Sequence, residues 1–293
     1  MKIGAHWSSR AYPQAVELGF DFCWLNPDTF GDPTHQDDLA AFIASGLEYV
    51  LTFSWSEDRL LNRGEAWTID VRHTYAWLGN RGLLRRCLAV QFDDEFYERV
   101  VTSCGNPSVF PPAQWPILSS LPATLGPTLL GTVAHFHGER ARELAQIFGD
   151  DLPAAGFGCS ATGAMELPTF PQQQWWGCNF YLGPGYLPDA ASVHRLYAGA
   201  ARTGLQLMPI LGVFADGDRE PPSLMALADC YLPIAEQYGA WAVGVFCLHH
   251  PSTYDPAHGP GRGILQLPSH YAEGVRWLTA KYGTRDRSLS ATR

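Results

Sequence analysis

Along the chain, short apolar runs of strand length alternate with longer segments whose apolar residues recur every three to four positions. The strand-like runs are Ile3–Ser8, Phe20–Asn26, Leu47–Ser54, Leu88–Phe92, Ala155–Ser160, Trp176–Leu182, Gln206–Phe214 and Trp241–Leu248. Helical periodicity covers Tyr12–Leu18, Gln36–Ser45, Ile69–Leu78, Thr128–Phe148, Ala190–Thr203, Ser223–Tyr238 and Ser269–Tyr282. Gly19, Gly46, Gly79, Gly204 and Gly239 follow helical segments, where glycine commonly stops a helix. Eight strands alternating with helices predict one α/β domain, a (β/α)8 TIM barrel spanning residues 1–283. Residues 284–293 read as a flexible C-terminal tail. An open doubly wound sheet is the alternative.

The two kinds of connection differ in length. Helix-to-strand turns are short, whereas strand-to-helix segments are long, above all the Pro- and Gly-rich stretch Glu95–Pro127. In a barrel the long segments lie at the C-terminal ends of the strands and build the active face. Their length predicts an extended cleft.

Composition narrows the class. Hydrophobic residues make up 46% of the 293 and charged residues 17%, which fits a globular chain with a large core. A net charge of −9 without a basic run makes nucleic acid an unexpected partner. No apolar stretch is long enough for a membrane span. The N-terminal MKIGAHWSSR carries no apolar leader. The expectation is a cytoplasmic protein, with a non-classical or phage-type export route left open. The seven cysteines show no CxxC spacing, and Cys23, Cys87, Cys178 and Cys247 read as reduced core thiols. Of the 20 Lys and Arg residues only Lys2 and Lys281 are lysine, and neither is placed for a Schiff base. No phosphate or dinucleotide loop occurs, so no cofactor is expected.

The fourth strand raises a question, because CLAVQF runs directly into Asp93, Asp94 and Glu95. Strand alternation places Leu88, Val90 and Phe92 toward the helices. It places Ala89, Gln91, Asp93 and Glu95 toward the barrel axis. The acids thus stand where the strand leaves the core. Asp93 and Glu95 share a side with Cα atoms about 6.5–7 Å apart. Two carboxylates this close, shielded from water, should split their pKa values and leave one as a general acid.

An Asp-x-Glu at the end of strand four resembles the (β/α)8-barrel glycoside hydrolases of family 18 (chitinases and endo-N-acetylglucosaminidases) and family 25 (lysozyme-like muramidases). The resemblance to family 18 implies that Glu95 protonates the glycosidic oxygen. It implies that Asp93 orients the substrate's acetamido group, which acts as nucleophile. Tyr181, at the end of strand six, is in a suitable position to hold that group, and Asn179 shares its face. The chain differs from the chitinase pattern in having Gln91 where another Asp is usual, and Leu248, His249 and His250 where a Trp usually ends strand eight. It differs from family 25 in having His6 but no acid in strand one. A two-carboxylate retaining mechanism would need a partner from strand seven. There only Asp216 and Asp218 follow, in the next loop.

His6, Asn179, Gln91, Trp55, Trp176, His250 and Asp216 are candidate substrate-binding residues, since hydroxyls need polar partners and sugar rings stack on exposed aromatics. A metal site from His6, Asp93, Glu95 and His250 is imaginable, but no ligand spacing supports it and none is expected. The sequence reading is therefore a glycosidase acting on a polysaccharide or glycan. A non-catalytic carbohydrate- or protein-binding barrel and a metal-dependent barrel enzyme are the alternatives. Oligomeric state is not legible.

Overall fold

The computed structural model describes residues 1–6, 11–25, 36–52, 64–94, 126–161, 169–180, 190–215, 221–248 and 262–284. Eight parallel strands close into a barrel in chain order: β1 (Lys2–Ala5), β2 (Phe22–Leu25), β3 (Glu48–Thr52), β4 (Cys87–Asp94), β5 (Phe157–Ala161), β6 (Gln173–Phe180), β7 (Gln206–Gly212) and β8 (Ala242–Phe246). The helices are α1 (Tyr12–Glu17), α2 (Gln36–Ser45), α3 (Gly64–Asn80), α4 (Gly126–Phe148), α5 (Ala190–Ala201), α6 (Leu224–Gln237) and α7 (Ser269–Tyr282). The chain is a (β/α)8 barrel, and the doubly wound alternative is excluded by the pairing of β1 with β8.

Local chemistry explains the turns. Gly19, Gly46, Gly204 and Gly239 take φ between 68° and 87°, a left-handed conformation costly for other residues. Gly79 is a correction: α3 continues to Asn80, and Gly82, at φ 66°, makes the turn instead. The end of α2 is closed by a distant side chain. Arg86 Nε donates to Leu47 O at 2.8 Å, and its two other nitrogens reach the carbonyls of Ile43 and Phe42, each at 3.2 Å. Its guanidinium lies over the Phe42 ring. One planar fork thus satisfies carbonyls that a helix end leaves without intrahelical partners.

Two cores result. Between sheet and helices lies the larger one, which includes Val90, Phe92, Cys159, Leu211 and Val245. Inside the barrel lies a smaller aromatic one built on Phe22, Trp24, Trp175 and Phe246. These large rings fit because glycines face them. A Cβ on Gly158 would overlap the Trp175 ring and stand 2.6 Å from the Trp175 carbonyl oxygen. One on Gly244 would stand 2.7 Å from the Trp24 ring. Cys23, Cys87, Cys178 and Cys247 are buried thiols, as expected, and burial pushes Cys87 up to about 12.

At the N-terminal end of the barrel Lys2 and Glu48 form an ion pair. At this same end α7 returns to the first strand, with the Met1 amino group donating to Tyr282 O at 3.1 Å. Lys281, in the last turn of α7, pairs with Asp229 at 3.1 Å and packs over Trp277. Among the described residues no helix is long and apolar enough to cross a membrane. The expected tail lies, apart from residue 284, outside the described residues.

Candidate active site

β4 ends in the candidate acids, and its residues do not follow simple alternation. Leu88 is an extra residue against β3, where Tyr49 pairs with Cys87 and Val50 with Ala89. It packs on the inner core, correcting its expected helix-facing side. Val90 and Phe92 face the helices as expected. A second shift lies against β5, where Gln91 pairs with Gly158, Asp93 with Cys159 and Asp94 with Ser160. Cys159 belongs to the helix-side core, whereas Ser160 bonds Gln91 inside the barrel. Backbone register thus brings the acidic end of β4 beside Ser160. The side chains of Asp93 and Asp94, and all of Glu95, lie outside what the structure describes.

Gln91 points into the barrel and is fully buried. Trp24 Nε1 donates to its Oε1 at 2.6 Å, and its Nε2 donates to Ser160 Oγ at 2.8 Å. Both ends of its amide are thus engaged within the barrel. His6 also faces inward, 7% exposed, with its ring 4.8 Å from that of Trp24 and 5.1 Å from that of Phe246. Its backbone is pinned to the end of β8, donating to Val245 O at 2.9 Å and accepting from Leu248 N at 3.0 Å. Phe214, half-buried beyond β7, meets Phe246 edge-on. Among the described residues, aromatic rings thus stand toward the strand C-terminal ends on the β7, β8, β1 and β2 side, and the polar side chains Gln91 and Ser160 on β4 and β5.

Trp176 is a correction. It is 5% exposed and belongs to the helix-side core, level with Leu207 and Cys159. It is a packing residue, not a stacking platform. Asn179 stands at the end of β6 level with Ile210, whose side chain is in the inner core. Past β8 the alternation also fails, since Phe246 and Cys247 are both in the inner core and Leu248 is in the outer one. The face inferred for His250 does not follow from its neighbours. Tyr181, Trp55, Asp216 and His250 lie outside the described residues. Among the described residues no group of three or more His, Cys, Asp or Glu is arranged to hold a metal ion.

Sequence reasoning missed three residues of this region. Trp24 and Ser160 stand one residue before the ends of β2 and β5 on inward positions, and the Phe22-x-Trp24 alternation was the available signal. The third is His137 on α4, behind β4. It stacks on Phe92 at 5.6 Å, meets Phe170 edge-on and lies 4.0 Å from Cys159 Sγ. Burial holds its imidazole down to about 3. An unfolded chain binds this proton near pH 6.5 and the folded chain does not. Stability is therefore lost as pH falls from about 6.5 to about 3. Replacing His137 by leucine should flatten urea-unfolding stability against pH in that window by about 1.4 kcal/mol per pH unit. An unaltered slope would show that this imidazole is not held neutral.

No family model and no curated protein sequence matches the chain. Solved structures do match it in fold. A β-glycosidase from the hyperthermophile Thermosphaera aggregans superposes with a TM-score of 0.61 at 11% identity, covering 95% of this chain and 85% of that one. A β-glucosidase gives 0.57 at 13% identity, covering 92% and 86%. A D-psicose 3-epimerase gives 0.52 at 10% identity, covering 96% and 98%. At these identities the likeness is one of architecture. This barrel is one that glycosidases and other sugar-converting enzymes use.

Proposed function

We propose that the protein is a glycoside hydrolase that cleaves O-glycosidic bonds of a polysaccharide or glycan, with N-acetylhexosamine-containing chains as the preferred class. In this reading Glu95 is the general acid and base, and Asp93 orients and stabilises the acetamido nucleophile as in family 18. Tyr181 and Asn179 hold that group, while His6, Trp55, His250 and Asp216 border the sugar. The observation that carries the proposal is the emergence of the acidic run at the C-terminal end of β4 in a closed barrel. That is where barrel enzymes keep their chemistry. The fold shared with solved glycosidases supports it. A second reading is a metal-dependent barrel enzyme of other chemistry; a sugar epimerase shares the fold.

A panel of oligosaccharides and nitrophenyl glycosides tests both. Release of reducing sugar, blocked by an analogue of the cyclised acetamido intermediate, is the expected result. Binding without release would make the protein a sugar-binding barrel. Activity that vanishes with a chelator and returns with one metal ion would favour the second reading.

A further inference from the structure

Three side chains from three strands form a directed hydrogen-bond chain inside the barrel, from Trp24 on β2 through Gln91 on β4 to Ser160 on β5. Its direction is fixed by chemistry. An indole nitrogen donates and has no lone pair to accept with. The atom of Gln91 that faces it is therefore the amide oxygen, and the amide nitrogen faces Ser160. Toward Gln91 the serine oxygen is then an acceptor, so its own hydrogen points elsewhere. Ser160 is 1% exposed, and a buried hydroxyl keeps its hydrogen bonded. Register places Asp94 level with Ser160 and Asp93 one step before it. On the other side stands Gly177, where a Cβ would come within 2.6 Å of Ser160 Cβ. Glycine there leaves the serine room.

We propose that Ser160 is a positioning residue whose hydroxyl, aimed by Trp24 and Gln91, donates its hydrogen to the acidic end of β4. This rests on the reading that this strand end carries the chemistry. A donor to a carboxylate favours its ionised form. One acid of the run is thereby held as the anion, and the proton is left to its neighbour. A general acid working beside a carboxylate needs that division. Other titratable groups beside this strand among the described residues include Tyr49, which bonds Cys87 at its start, and His137 and Cys159 behind it.

The test is a carboxyl-carbon NMR titration of protein labelled in its Asp and Glu side chains. Asp93→Asn, Asp94→Asn and Glu95→Gln assign the three signals. In Ser160→Ala one of them should titrate about one pH unit higher than in the wild type. Trp24→Phe should move the same signal the same way by less. Ser160→Cys, a weaker donor of similar shape, should fall between, and it replaces the alanine variant if that one does not fold. If all three signals in the Ser160 variants coincide with wild type, Ser160 merely packs and the proposal is overturned. This readout needs no turnover. A wild type that cleaves no glycoside yet shows the shift sinks the functional reading alone. A hydrolase whose carboxyls ignore Ser160 sinks only the relay.

Discussion

Glu95→Gln should lower turnover by roughly 10²–10⁴-fold, the range that a positioned general acid supplies, while oligosaccharide affinity is retained. Glutamine keeps the shape and hydrogen-bonding reach of the side chain but cannot deliver a proton to a departing oxygen. The loss should therefore depend on the leaving group. A sugar alcohol leaves badly without protonation, whereas a nitrophenolate hardly needs it. Deficits should be large on oligosaccharides and small on nitrophenyl glycosides for the bond-breaking step. Isothermal titration with an uncleaved oligosaccharide gives the affinity, and single-turnover kinetics give the step. Equal losses on both substrate kinds would mean that Glu95 is not the proton donor. Full activity would remove it from the mechanism.

The largest expected effect on stability comes from one missing methyl group. Gly158→Ala would drive a Cβ into the Trp175 ring and toward the Trp175 backbone oxygen. The ring is fully buried within the barrel, so it has no solvent to swing into. The backbone oxygen belongs to a strand paired on both sides. Overpacking of this kind costs about 3 kcal/mol, the upper part of the usual range. Chemical denaturation should show the midpoint falling with the slope unchanged. A double variant, Gly158→Ala with Trp175→Phe, should recover part of the loss because the smaller ring frees space. A single variant as stable as wild type would show that the inner core is less tightly packed than described.

The barrel was legible because its signals are periodic and local. Ser269–Tyr282 was read to the residue, and Gln36–Ser45 likewise, since amphipathic spacing and a stop signal bracket each. The inward sides of Gln91 and His6 followed from period-two alternation. What failed shares one cause. Leu88 lies at a register shift, where a strand gains a residue against its neighbour. A bulge has no marker in a single sequence, because it is set by pairing across strands. Trp176 was misplaced for a related reason: β6 begins at Gln173, earlier than its apolar run implied. Gln173 and Gln174 read as loop by composition, yet they pair in the sheet or support its edge. The Trp24–Gln91–Ser160 chain joins residues 67 and 69 positions apart. Closure of the sheet alone brings them together.

The placement of Lys2 and Lys281 has a practical outcome. Both lysine amines of this sequence sit where β1 begins and α7 ends, at the pole opposite the strand C-termini. Coupling to a sensor chip or resin through lysine would tether every molecule by its base. The C-terminal ends of the strands would then face the flowing solution, and immobilised sugar-binding measurements would sample one uniform orientation.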